Sequence, residues 1–138
     1  MKALLVIAHG SRREASNQEV RQLVARLKRN AVDRFDLFFA AFLELAEPDI
    51  NDGIRQCVEA GANEIVVIPY FLAAGRHVVT DIPAELAEAQ SRHPEVQILT
   101  TKYLGLHQGV EDLILDLAMN PENSTQHVTN RNYIEASS

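Results

Sequence analysis

Two histidines and a glutamate lie just beyond apolar runs of the sequence. His9 follows the run 3–8, Glu44 follows the run 35–43, and His77 lies in the long segment after the run 64–70. Neutral imidazole binds borderline divalent metals such as cobalt, nickel and iron, and imidazole and carboxylate both serve as general bases. If the fold brings these side chains together, they offer loose metal binding combined with proton removal.

The apolar runs predict strands that alternate with amphipathic helices. Strands are predicted at 3–8, 35–43, 64–70 and 97–101. Helices are predicted at 14–28, from Pro48 to a stop at Gly61, from an N-cap at Asp81 to about Arg92, and around 110–117. Such alternation is typical of right-handed crossovers and a parallel sheet with helices on both faces. We therefore predict an α/β fold, a flavodoxin-like three-layer sandwich with four parallel strands in the order 2-1-3-4.

This strand order would bring the polar side chains to one edge of the sheet. Ligands of open parallel sheets bind at the carboxyl ends of the strands, where the strand order reverses, here between strands 1 and 3. The loops that carry His9 and His77 would flank that crevice, with Glu44 on the neighbouring strand and His107 after strand 4. The same edge carries basic residues that an anionic ligand would require: Arg12, Arg13, Arg76 and Lys102.

Composition limits the class of protein. The 138 residues fit one domain, and a net charge of −6, from 13 basic and 19 acidic residues, argues against a general nucleic-acid binder. The single cysteine suits a reducing compartment, and neither a signal peptide nor a 20-residue apolar span is apparent. We expect a cytoplasmic protein without membrane or nucleic-acid partners, with a domain at 1–120 and a polar tail at 121–138. The tail is expected to be mobile, with an arm on a partner subunit as the alternative.

Three segments in this order carry a resemblance to a known family. They are "LLVIAHGSR" at 4–12, "FLELAEPDI" at 42–50 and "VVIPYFLAAGRHVVTDIP" at 66–83, with a looser match in "YLGLH" at 103–107. The chain resembles the small sirohydrochlorin cobaltochelatases of the CbiX type, a branch of the class II chelatases. Small members are similar to one half of the larger, internally duplicated chelatases, so the resemblance implies a homodimer.

The resemblance implies insertion of a divalent metal into sirohydrochlorin, a tetrapyrrole with eight carboxylates. It implies that His9 and His77 hold the metal and assist proton removal, with Glu44 as an acid/base helper. Position alone suggests Ser11, Arg12 and Arg76 as residues that bind the substrate. The metal is then a substrate, and no permanent cofactor is expected. Co2+ is favoured, with Ni2+ or Fe2+ possible, in cobalamin or siroheme biosynthesis.

Three other functions compete with this interpretation. A non-catalytic metal or tetrapyrrole carrier would use the same two histidines but show binding without turnover. A histidine phosphatase would need an arginine directly before the histidine, where this chain has Ala8. A regulatory flavodoxin-like domain would tolerate the loss of His9, and the fold alone does not separate it from an enzyme.

Overall fold

A computed structural model describes residues 1–122, apart from the side chains of His77 and Val79. Most of the predicted tail therefore lies outside the described residues, and the division at residue 120 stays a prediction. Four strands and four α-helices alternate in the described part. They are β1 (Lys2–Ala8), α1 (Glu14–Asn30), β2 (Leu37–Phe42), α2 (Ile50–Glu59), β3 (Glu64–Pro69), α3 (Ile82–Arg92), β4 (Gln97–Thr100) and α4 (Gly109–Met119).

The sheet is parallel throughout and has the order β2-β1-β3-β4. This confirms the predicted α/β fold and its strand order. The order reverses between β1 and β3, so the carboxyl ends of these two strands flank the crevice that such sheets use for ligands.

The main core lies between the sheet and the pair α2 and α3. Neighbouring strands present aligned apolar side chains to it, such as Leu5 of β1 beside Val67 of β3. Ile54 and Cys57 of α2 pack into the same fully buried cluster. Cys57 is thus a core residue, as its position on the apolar helix face predicts, and burial raises the pKa of its thiol to about 12.

We expect Cys57 to resist thiol reagents in the native protein. A thiol with a pKa near 12 is almost entirely protonated at pH 8, and only the thiolate is nucleophilic. Titration with a chromogenic disulfide at pH 8 should detect almost no thiol in the native protein and one thiol in urea. Rapid reaction of the native protein would contradict the burial of this side chain.

The opposite face of the sheet is covered unevenly. Helix α1 lies over β1 and β2, where the Arg21 guanidinium stacks 5.2 Å from the centre of the buried Phe42 ring. Over β1, β3 and β4 the same face keeps a row of partly exposed apolar side chains, here named the open strip: Leu4, Val66, Ile68 and Leu99.

Helix α4 forms where the sequence predicts a helix, but it does not cover the sheet. None of its residues is buried, and it mainly contacts the 3-10 turn Leu104–Leu106 that precedes it. The spacing of its apolar residues predicts a helix correctly, since spacing reports periodicity. It does not reveal the surface against which the helix packs.

Two local predictions need correction. Helix α2 begins at Ile50, after Pro48, because Asp49 caps it: its Oδ1 accepts the N–H of Asp52 at 2.8 Å. The segment after β3 is not only loop, because a π-helical turn at His77–Asp81 runs into α3. Asp81 occupies the N-cap position without forming a side-chain cap bond, since its backbone is already helical.

No helix among residues 1–122 is long and apolar enough to cross a membrane.

Candidate active site

The hydrogen-bond ladder of the sheet continues past the strand ends. The N–H of Tyr70 donates to the carbonyl of Ile7 at 2.8 Å, and the N–H of Leu43 donates to the carbonyl of Ala8 at 2.9 Å. One step further, the N–H of Glu44 donates to the carbonyl of His9 at 3.1 Å. The backbone therefore holds His9 and Glu44 side by side at the carboxyl edge.

Gly10 permits this close approach. Its φ of +86° lies in the left-handed region, and a Cβ built on it would lie 1.8 Å from the carbonyl oxygen of Glu44. Any side chain would therefore force the two loops apart. A glycine is therefore needed after His9, because the backbone of Glu44 lies against it.

Asn17 of α1 fixes the loop that follows Gly10. It is a buried polar residue, and its Oδ1 accepts the N–H of Ser11 at 2.9 Å while its Nδ2 donates to the Ser11 carbonyl at 2.8 Å. The side chain thus satisfies both backbone groups of Ser11, as a neighbouring strand would. The first turns of α1 and the end of β1 are thereby joined.

We expect Asn17→Ala to lower the free energy of unfolding by about 1–3 kcal/mol, because it leaves backbone groups of Ser11 without partners. Urea unfolding followed by circular dichroism would measure the change. The control is Gln22→Ala, at an exposed position of the same helix, which should change stability little. Equal effects of the two substitutions would show that Asn17 does not hold the loop.

The His9 ring is exposed to solvent, and one side of it packs against an aromatic ring. It meets the buried Phe71 ring edge to face, with centroids 4.8 Å apart and an interplanar angle of 87°. Phe71 follows β3, so the segment after one strand orients the imidazole at the end of another. This contact fixes the ring plane while the imidazole stays accessible to a ligand.

His9 and Glu44 line a cleft of about 390 Å3. Leu43 stands with them on the side of β1 and β2, and the other wall comes from the end of the π-helical turn and the first turn of α3: Asp81, Ala84 and Glu85. Burial, together with the nearby Asp49, Asp81 and Glu88 carboxylates, raises the pKa of Glu85. The described lining contains three carboxyl side chains and no lysine or arginine, so the cleft favours a cation.

The other predicted residues lie around this cleft rather than in its described lining. Arg12 and Arg76 are exposed at the same edge. The Ser11 hydroxyl accepts the N–H of Arg13 at 3.0 Å, and Ser11 lines a smaller hollow of about 200 Å3 that His9 also borders. His77 begins the π-helical turn, but the predicted role of its side chain falls outside the described part of the structure.

His107 lies at the predicted edge of the sheet, but its ring forms a local hydrogen bond with the backbone. Its Nδ1 accepts the N–H of Gly109 at 2.8 Å, which satisfies a donor at the start of α4. It is absent from the described lining of the cleft. Among residues 1–122, without the side chain of His77, no three histidine, cysteine, aspartate or glutamate side chains form a metal-binding group.

Sequence reasoning missed Glu85, and it favoured a helix cap over a ligand for Asp81. Their spacing of four residues is the available signal, because residues four apart lie on the same side of a helix. It also missed Phe71 and Asn17, which position the site from outside it. A polar residue on the buried side of an amphipathic helix is the signal that could have identified Asn17.

Similarity to known proteins decides the family. The family model described as CbiX matches residues 3–119, which is most of the chain. This chain belongs to the CbiX family. It is 37% identical over 113 residues to the chloroplastic sirohydrochlorin ferrochelatase of Arabidopsis thaliana, covering 82% of this chain and 49% of that protein.

Two further relatives show the range of lengths. The sirohydrochlorin cobaltochelatase of Sulfolobus acidocaldarius is 32% identical, over 86% of this chain and 90% of that protein. The structure of the sirohydrochlorin chelatase SirB from Bacillus subtilis subspecies spizizenii in complex with cobalt matches with a TM-score of 0.76 and 32% identity. That match covers 86% of this chain and 50% of SirB. The chain thus spans about half the length of the Arabidopsis and Bacillus proteins.

Proposed function

We propose that this protein is a sirohydrochlorin chelatase, which inserts a divalent metal into the tetrapyrrole. One observation carries the proposal. Main-chain hydrogen bonds beyond the ends of β1 and β2 hold His9 and Glu44 side by side, and both residues line the same cleft at the carboxyl edge of the sheet. Family membership supports it, because relatives of this chain are named sirohydrochlorin ferrochelatase and cobaltochelatase.

The chemistry of insertion needs a base and a weak metal ligand. The ion replaces two pyrrole N–H protons, so two protons must leave as the four ring nitrogens bind the metal. His9, with His77 as the proposed second ligand, presents the ion through imidazole nitrogens that bind borderline metals and release them. Glu44 lies beside His9 and accepts protons as a general base. The acidic wall formed by Asp81 and Glu85 attracts the cation to the cleft.

The basic residues are suited to bind the negatively charged carboxylates of the tetrapyrrole. Arg12 and Arg76 are exposed at the same edge but outside the described cleft lining. We assign them, with Ser11, to the carboxylates of sirohydrochlorin, which a guanidinium binds through paired hydrogen bonds. The site then separates its charges, with carboxylates toward the metal and arginines toward the rim of the macrocycle.

The preferred metal and the setting of the enzyme are finer parts of the proposal. Co2+ is the favoured ion, with Ni2+ and Fe2+ as alternatives, and the product would serve cobalamin or siroheme biosynthesis. The protein would act in the cytoplasm as a homodimer without a permanent cofactor. The half-length match to SirB supports the homodimer, since a second copy would supply a second unit of the same size.

The test mixes purified protein anaerobically with sirohydrochlorin and, separately, Co2+, Ni2+ and Fe2+. Visible spectra should report metal insertion faster than in the same mixture without protein, over many turnovers, and fastest with Co2+. A bound but unmetallated spectrum would favour a carrier instead. Rates equal to the protein-free control with all three ions would contradict the proposal.

A further inference from the structure

Metal insertion releases two protons, and Glu44 beside His9 can take only one of them at a time. A carboxylate that has accepted a proton is a neutral acid, and it accepts no second proton near neutral pH. The imidazole that holds the ion is not free to act as a base. Glu44 would therefore have to pass the first proton to water before it could take the next. A flat macrocycle over the cleft hinders that exchange, so a second acceptor would speed the reaction.

Glu85 lies on the wall of the cleft that faces Glu44. It belongs to the first turn of α3, whereas His9 and Glu44 follow β1 and β2, and all three residues line the same cleft. Within the part of the chain that the structure describes, which leaves out the side chain of His77, no three such side chains form a metal-binding group. The two glutamates and His9 are therefore not arranged to hold one ion together. Their positions suit two proton acceptors that approach a bound ring from opposite sides.

The surroundings of Glu85 make it a stronger base than an ordinary carboxylate. Among the described residues, no hydrogen bond or ion pair holds its side chain, whereas Glu88 pairs with Arg92. Partial desolvation, together with the Asp49, Asp81 and Glu88 carboxylates, raises the pKa of Glu85. These neighbours lie at the N-cap of α2, at the end of the π-helical turn and one turn further along α3. A raised pKa favours the transfer of a proton to this group.

We propose that Glu85 is a second catalytic base, which accepts one of the two pyrrole protons while Glu44 accepts the other. Each N–H bond leaves its electron pair on the nitrogen, each carboxylate gains an O–H bond, and the ring nitrogens bind the ion. No electron is transferred, so the ion keeps its charge. Glu85 is exposed and can then return its proton to water. The inference rests on the proposed chelatase function and adds a residue to its mechanism.

Single-turnover insertion, with protein in excess over sirohydrochlorin, separates proton acceptance from simple attraction of the cation. The experiment uses the metal ion that the wild type inserts fastest and varies its concentration. Glu85→Gln keeps the size of the side chain but removes its basicity. Proton acceptance predicts a plateau rate at saturating metal about 10-fold or more below that of the wild type. A plateau equal to the wild-type rate, whatever metal concentration is needed to reach it, would show attraction only and overturn the assignment.

Glu88→Gln is the matched control on the same helix. Glu88 is also exposed, and it lies one turn further along α3 and outside the described lining of the cleft. This variant should keep the wild-type plateau. Equal losses of rate in Glu85→Gln and Glu88→Gln would overturn the assignment, because they would reflect the loss of negative charge on α3 rather than a specific base.

Chemical rescue adds a readout that a merely structural role would not change. Glu85→Ala should lose about as much of the plateau rate as Glu85→Gln, and added formate should restore part of it by replacing the missing carboxylate. Formate should leave the rate of Glu88→Gln unchanged, and circular dichroism verifies the fold of each variant. Absence of rescue would contradict the proposed base. A wild type that inserts metal while Glu85→Gln matches it would leave the proposed function standing, whereas a wild type without insertion would overturn that function itself.

Discussion

Replacing His9 by alanine is expected to lower the rate of metal insertion about 100-fold or more while leaving the fold intact. The imidazole is exposed, so its removal opens no cavity in the core, and its ring packs edge to face on Phe71. Loss of a positioned base or ligand typically costs two to four orders of magnitude in rate. Anaerobic visible spectroscopy with sirohydrochlorin and Co2+ measures the rate, and circular dichroism verifies the fold.

The control for this loss is His93→Ala. His93 follows α3 at the opposite edge of the sheet from His9, so its removal should leave insertion unchanged. Glu44→Gln keeps the shape of its side chain but cannot accept a proton, and we expect a smaller loss than for His9. Normal turnover of His9→Ala would remove the imidazole from the mechanism of insertion.

Gly10→Ala is expected to lower the free energy of unfolding by about 2–4 kcal/mol and to suppress insertion as well. The new methyl group would lie 1.8 Å from the Glu44 carbonyl oxygen, which is a severe clash. In addition, residue 10 has a left-handed φ that residues with side chains rarely adopt. Relief requires the loops after β1 and β2 to separate, which moves Glu44 away from His9. Urea unfolding and the insertion assay report the two effects.

Gly75→Ala is the matched control for the loop glycine. A Cβ at Gly75 would meet no atom within 4 Å, and its φ lies outside the left-handed region. The substitution should therefore change stability by well under the Gly10 effect. If Gly10→Ala were as stable and active as Gly75→Ala, the contact between the His9 and Glu44 loops would not matter to the site.

The sequence predicted the sheet and its functional edge because few topologies satisfy the rules for parallel strands. Four strand–helix units with right-handed crossovers leave a short set of orders, and the order 2-1-3-4 brings His9 and Glu44 together. Their pairing needed no knowledge of side-chain contacts. It followed from which strand ends are neighbours.

The features that sequence reasoning missed depend on packing and on chain geometry. Apolar periodicity predicted α4 but not that its Leu113 and Leu117 would remain exposed, because periodicity does not identify a partner surface. The π-helical turn His77–Asp81 places Asp81 on the cleft wall. No pattern in the sequence indicates that this segment forms a π-helical turn. His107 was grouped with the other histidines by position, whereas its ring bonds the start of α4.

The ladder that runs past β1 has a consequence for how the protein melts. The amide protons of Leu43, Glu44 and Tyr70 are held by the same kind of main-chain bonds as those inside the sheet. Their exchange with deuterated solvent should then require the same cooperative opening as the central strands, rather than the fraying common in loops. One wall of the cleft would therefore persist for as long as the sheet itself does.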